Sequence, residues 1–190
     1  SYLNIALKEA LKDYYWFIRR GAAEALGEIG DVQAVPDLIQ MLKNDENVLV
    51  RYSAAETLGQ IKADQAVPDL IQALKENDWV LRDEASKSLG KIGDVRAVPY
   101  LILALSEDRE ESVRYRAAIS LGQIRAFEAV PHLIRALNNE NENHYVRSRA
   151  AWALGQIGDI SAIHDLIRVL RKDGDEDVRR AAAESLGKIG

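Results

Sequence analysis

The 190-residue chain carries 25 Lys and Arg against 30 Asp and Glu, a formal charge of −5, with 47% hydrophobic residues and no cysteine. This balance leaves no basic footprint for nucleic acid, the apolar fraction is too high for a disordered chain, and the lack of cysteine excludes a disulfide scaffold, a thiolate zinc site and a cysteine nucleophile. No apolar run approaches the length of a membrane span, so the chain reads as a soluble cytoplasmic protein without membrane contact.

Taken in order, the chain repeats itself. The pattern V/I/L-R-x-x-A-A/S-x-x-L-G-x-I starts at Ile18, Val50, Leu81, Val113, Val146 and Val178. Self-similarity at a period of roughly 30 residues is the signature of stacked supersecondary units. A second segment precedes most copies: AVPDLIQML from Ala34, AVPDLIQAL from Ala66, AVPYLILAL from Ala97, AVPHLIRAL from Ala129 and AIHDLIRVL from Ala162. Val130, Leu133, Ile134 and Leu137 recur at i, i+3, i+4 and i+7, which predicts an amphipathic helix. The polar links between the two segments are short enough to make each pair a helical hairpin. The units are 1–30, 31–62, 63–93, 94–125, 126–158 and 159–190, which predicts one array of six two-helix repeats over 1–190.

Prolines 36, 68, 99 and 131 suit a first helical turn, so the stretch from Asp31 to Val35 is expected to be a tight turn with helix from about Pro36. His164 stands where the fifth link would carry proline, which predicts a less sharply defined start there. The last helix carries Ala181, Ala182, Ala183, Leu186 and Ile189, and terminal repeats normally need a polar outer face. The expectation is a segment of a longer array or end-to-end self-association.

Placing the second helix on a wheel of about 100° per residue separates three faces. In the fourth copy Val113, Ala117, Leu121 and Ile124 form a core stripe. Ala118 and Gly122 form a flank where small side chains admit another backbone. Ser112, Tyr115, Arg116, Ile119 and Gln123 form an open face. The motif arginines Arg19, Arg51, Arg82, Arg114, Arg147 and Arg179 lie between core and flank, and are expected to meet junction carboxylates such as Asp31, Asp94 or Asp159, or free helix-end carbonyls. Two units break the Gly-Asp junction, with Lys62-Ala63 and Arg125-Ala126. The same two carry Tyr52 and Tyr115, a superperiod that fits duplication of a pair.

Catalytic and metal chemistry find no support. The glycines of the motif lie inside a helical period without phosphate-loop spacing. His132, His144 and His164 sit in separate segments, and no serine, histidine and acid constellation appears. The open face is different. Phe17, Tyr52, Trp79, Tyr115, Tyr145 and Trp152 vary between units while the framework stays fixed, and aromatic anchors often dominate interface energy. With Arg116, Ile119 and Arg149 they are the predicted partner-binding residues. Trp16 and Trp79 lie at the edge of this face, just before the motif.

At VRxxAAxxLGxIGDxxAVPxLIxAL the sequence resembles the HEAT-like repeat family known from phycobilisome bilin lyases and bacterial scaffold proteins, and also engineered consensus binders built on that repeat. The resemblance implies an all-α, right-handed α-solenoid of six HEAT-like repeats. It also implies that the second helices line a concave surface, with Trp152, Tyr115, Tyr52 and Trp79 along one groove. The function expected is a non-catalytic scaffold for a protein partner, without cofactor, metal or nucleic acid. A bilin lyase or chromophore-handling subunit, its tetrapyrrole propionates held by Arg116 and Arg149, and an engineered binder are the alternatives.

Overall fold

The computed structural model describes residues 2–190, and all regular structure among them is helical. The chain divides into two compact units, one ending at Asp94 and the other running from Val95 to Gly190. The first holds α1 (Tyr2–Ala10), α2 (Trp16–Ile29), α3 (Val35–Asn44), α4 (Val48–Gln60), α5 (Val67–Ala73) and α6 (Trp79–Ile92). The second holds α7 (Val98–Glu107), α8 (Glu111–Ile124), α9 (Val130–Asn138), α10 (His144–Ile157), α11 (Ile163–Lys172) and α12 (Glu176–Ile189). Each unit is three helix pairs, with odd-numbered first helices and even-numbered second helices.

Every first helix after α1 begins the same way, with one 3₁₀ turn and then the α-helix. Asp31 shows why the turn is tight: its carboxylate accepts from the Gln33 N–H, and Pro36 follows at the first turn of α3. The start of α11 corrects the expectation for His164. Asp159 accepts from the Ser161 N–H, the 3₁₀ turn Ile160–Ala162 follows, and α11 begins at Ile163, in the same register as its proline-bearing counterparts. The cap and the buried Ala162 define the start, so the proline is dispensable.

The second helices form the tighter layer in each unit. α4 packs along both α2 and α6, and α10 along both α8 and α12, whereas the first helices touch one another sparingly. Small side chains make this approach feasible. A Cβ on Gly59 would lie 2.8 Å from the Ser88 Cα, one on Gly155 would lie 2.8 Å from the Ser185 Cα, and one on Gly122 would meet the Ala153 Cα at 2.9 Å. Buried hydroxyls tie the same helices together. Thr57 Oγ1 donates to the Ala23 carbonyl at 3.0 Å, Ser88 Oγ to Ala55 at 2.8 Å and Ser185 Oγ to Ala151 at 2.8 Å. Each hydroxyl is thereby satisfied without water, where an unpaired one would cost about 1–3 kcal/mol. On the opposite flank Val113, Ala117 and Leu121, or Val146, Ala150 and Leu154, are buried against the first helices.

Asp31 and Asp159 do not meet motif arginines as expected, and cap turns instead. Arg19, Arg51, Arg114 and Arg147 each reach forward to an acid in the next repeat's interhelical link. Arg19 grips Asp45 through two hydrogen bonds of 2.7 and 2.8 Å, Arg114 grips Glu142 at 2.7 and 2.8 Å, Arg147 meets Asp173 at 2.7 Å and Arg51 meets Glu76 at 3.2 Å. The expected carbonyl contacts are present, in the arginine's own link: Arg19 donates to Asp13 and Tyr14, Arg82 to Glu76 and Asn77, and Arg179 to Asp173 and Gly174. Burial opposes ionisation of Asp45, but the Arg19 hydrogen bonds and charge, with the Asn47 N–H, hold its carboxyl below the ordinary value. A bidentate guanidinium fixes geometry as well as charge, so the ladder sets the register of successive links.

The broken junctions have a measurable cost. Gly30, Gly93 and Gly158 end their helices with positive φ, and Lys62 and Arg125 adopt the same left-handed backbone at φ of 52° and 56°. That conformation costs an L-residue roughly 1–2 kcal/mol, partly returned by its lower unfolded-state entropy relative to glycine. Lys62→Gly and Arg125→Gly are each expected to raise stability by about 0.5–1 kcal/mol in urea denaturation. A loss of stability in both would show that these cations hold contacts worth more than the strain.

Candidate functional site

The open faces of the second helices differ between the two units, beginning with the tyrosine that the sequence repeats. Tyr52 on α4 is half-buried beside Glu84 of α6, a carboxylate that is itself 1% exposed. Lys87 donates to Glu84 at 2.9 Å and to Glu56 at 3.1 Å, and Ser88 Oγ lies 3.3 Å from Glu84. Burial, then the charges of Glu84 and Glu56, push the Tyr52 hydroxyl up to about 12. Burial also raises Glu84 above its ordinary value, against the Lys87 hydrogen bond and charge. Desolvation works against the Lys87 ammonium, yet its two carboxylate partners raise it. This network is self-contained, and the face it occupies on unit 1 is polar.

Glu84 makes the network pH-dependent. Its folded pKa lies above the unfolded value of 4.5, so the folded chain binds the extra proton and stability falls as pH rises from 4.5 through the folded value. Glu84→Gln should flatten that part of the profile, read by urea denaturation from below pH 4.5 to neutrality; an unchanged slope would assign it to another group.

The remaining predicted residues of unit 1 lie at the first turns of the second helices. Phe17 is 55% exposed and stacks on Tyr15 at 5.4 Å, with Trp16 edge-on to it at 6.0 Å. Trp79 begins α6 behind the Asp78 cap and is exposed. Tyr14 and Tyr15 are exposed members of this aromatic cluster that the wheel passes over, because they precede the helix. Their signal in the sequence is the unbroken run of four aromatics from Tyr14 to Phe17.

Unit 2 brings the predicted residues together in the middle of its face. Tyr115 of α8 lies under Arg149 of α10: the Arg149 Nε donates to the Tyr115 hydroxyl at 3.1 Å, and its guanidinium carbon is 5.4 Å from the ring centre. Arg116 approaches the same ring at 5.9 Å. Trp152 rests over the notch at Gly122, where an added Cβ would meet the indole at 2.8 Å. Lys188 of α12 stands 5.9 Å from the Trp152 ring centre. Beyond Tyr115, a cleft of about 250 Å³ opens between α8 and α10, lined by Glu111, Ser112, Tyr115, Asn143, Tyr145 and Val146. Tyr145 is exposed at its edge, and Ile119 is half-buried one helical turn from Tyr115. The result is a ladder of rings and cations on a rigid backing. Tyr52 and Tyr115 occupy the same motif position, but the next repeat offers the first a glutamate and the second an arginine.

A sequence profile described as HEAT repeats matches residues 5–48, 35–109 and 98–187. The chain belongs to the HEAT repeat family. Its class is the all-α repeat solenoid, and these HEAT repeats are the helix pairs described above. The chain resembles the structure of the complex of CpcE and CpcF of phycocyanin lyase from Nostoc sp. PCC7120, with 27% identity and a TM-score of 0.74 over 98% of this chain and 76% of that one. Human deoxyhypusine hydroxylase is 21% identical with a TM-score of 0.58, over 98% of this chain and 84% of that one. An engineered protein is 21% identical with a TM-score of 0.70, over 100% and 96%. The last two likenesses concern the fold alone. No curated protein sequence matches this HEAT repeat chain. Among the described residues, no helix is long and apolar enough to cross a membrane.

Proposed function

We propose that this HEAT repeat protein is a non-catalytic scaffold that holds a protein partner on the open faces of its second helices. The observation that carries the reading is the unit 2 ladder, in which Trp152 lies against the α8 backbone at Gly122 and Tyr115 is clamped under Arg149. Rings fixed in this way lose little freedom on binding, which lowers the ordering cost of association. Arg116, Ile119 and Tyr145 extend the surface on unit 2. Phe17, Tyr52 and Trp79 are the corresponding residues of unit 1, with Tyr52 contributing least because its hydroxyl is engaged by Glu84.

The test is capture of a verified partner by the wild type and by folded Tyr115→Ala and Trp152→Ala variants. Truncating an anchor of this kind costs at least about 2 kcal/mol, so capture should fall more than tenfold; undiminished capture by both would remove the site assignment. The likeness to a chain of the phycocyanin lyase complex favours one further reading, a chromophore-handling subunit in which Arg149 meets a bilin propionate. Titration with a linear tetrapyrrole decides it, because binding beside Trp152 should shift the pigment's absorbance and quench indole fluorescence.

A further inference from the structure

The cations of the unit 2 face differ from the cations of the framework. Arg114 and Arg147 are each neutralised by an acid from the next link, Glu142 and Asp173. In unit 1, Arg20 pairs with Glu24, and Lys87 with Glu56 and Glu84. Arg149 is half-buried, yet its partner is a tyrosine ring and hydroxyl, and no carboxylate among the described residues pairs with it. Lys188 likewise stands over Trp152 without an ion pair. Of the acids on α12, Asp177 is held by Arg180 at 2.6 Å, and Glu184 lies one turn before Lys188 without pairing with it. The open positions of α8 and α10, Ser112, Tyr115, Arg116, Ile119 and Gln123 with Tyr145, Ser148, Arg149, Trp152 and Gln156, include no acid; Glu111, at the start of α8 in the cleft lining, accepts from Asn143 Nδ2 at 2.6 Å.

A partly desolvated guanidinium without a counter-charge favours a carboxylate that arrives from outside. We propose that the face of α8, α10 and α12 binds an acidic segment of a partner protein, with one carboxylate on Arg149, a second near Lys188, and an apolar side chain on Trp152 between them. This rests on the protein-binding reading above and adds the chemistry of the partner. Arg149 and Trp152 are three residues apart on α10, about 4.5 Å along the axis, a spacing that one short peptide segment spans. A peptide fits better than a nucleic acid. A polyanion responds to the whole field of a chain with net charge −5, including Asp173, Asp175 and Glu176 in and beside the last link, whereas single carboxylates respond to the two local cations.

The experiment selects short random peptides, displayed on phage, against the 190-residue chain and measures the enriched peptides by fluorescence anisotropy. Wild type, Arg149→Gln, Lys188→Gln and Trp152→Ala are compared after circular dichroism shows them folded, with a labelled oligothymidine as a second probe. The expected result is enrichment of Asp or Glu beside Leu or an aromatic residue, at least a tenfold weakening by Arg149→Gln, a smaller weakening by the exposed Lys188→Gln, and weaker binding in higher salt. Neutral or basic peptides that lose affinity only with Trp152→Ala would overturn the acidic partner and leave the protein-binding face standing. Failure to enrich any peptide overturns the acidic partner; peptides indifferent to all three substitutions overturn both readings. Oligothymidine binding that Arg149→Gln abolishes would assign the face to nucleic acid and overturn the proposal.

Discussion

Leu154→Ala is expected to cost unit 2 about 2–5 kcal/mol, the largest effect of any single substitution considered for this chain. Leu154 is fully buried on α10, which packs against α8, α9 and α12. Removing its side chain leaves a cavity at the meeting point of two successive repeats, in a stack where each repeat depends on its neighbours. The comparison is Leu103→Ala on α7, where the leucine is 50% exposed and the change should stay within about 0.5 kcal/mol. Urea denaturation of both variants checks the difference. Equal and small losses would mean that the second-helix layer does not hold the unit together.

Gly155→Ala is the second test, because it separates backbone approach from helix propensity. Alanine favours a helix interior by up to about 1 kcal/mol over glycine, and Gly21→Ala should gain a share of that, since a Cβ there meets nothing within 4 Å. At Gly155 the same methyl would lie 2.8 Å from the Ser185 Cα and 2.5 Å from its hydroxyl oxygen, the hydroxyl that donates to Ala151. Overpacking of this kind costs about 1–3 kcal/mol, so the sign reverses and α10 and α12 must move apart. Stability measured for both variants should rise for Gly21→Ala and fall for Gly155→Ala; a rise in both would contradict the close-packed layer.

The sequence made the framework legible because the framework is periodic. Val146, Ala150, Leu154 and Gly155 each recur at the same motif position, and a recurring small residue on one flank marks where a following helix comes close. The acids that meet the arginines were not legible for the opposite reason. Asp45, Glu76, Glu142 and Asp173 lie in links of varying length and differ in kind, so no fixed spacing marks them, whereas Asp31, Asp94 and Asp159 recur at regular junctions. Thr57, Ser88 and Ser185 carry no such mark, because a hydroxyl aimed at a neighbour's carbonyl has no signature beyond its position.

The open face was legible as a list of residues and not as an arrangement. Wheel position identified Tyr52 and Tyr115 as equivalents, yet their surroundings come from the following repeat, about thirty residues later. Glu84 draws the first into a buried polar network, and Arg149 stacks on the second. Trp152 belongs to the same open face by wheel position. It is placed over Gly122 with Lys188 beside the ring, a position that backs the indole and still leaves the side chain half-exposed.

Binding at the second-helix face of unit 2 is tested most directly by a two-sided alanine comparison. Calorimetric titration of one verified protein or peptide binder should show at least a tenfold loss of affinity for Trp152→Ala and Tyr115→Ala. Leu103→Ala and Phe127→Ala, at exposed apolar residues outside the second helices, should bind as the wild type does. Unchanged affinity for the first pair with a loss for the second would place binding elsewhere on unit 2 and contradict the account.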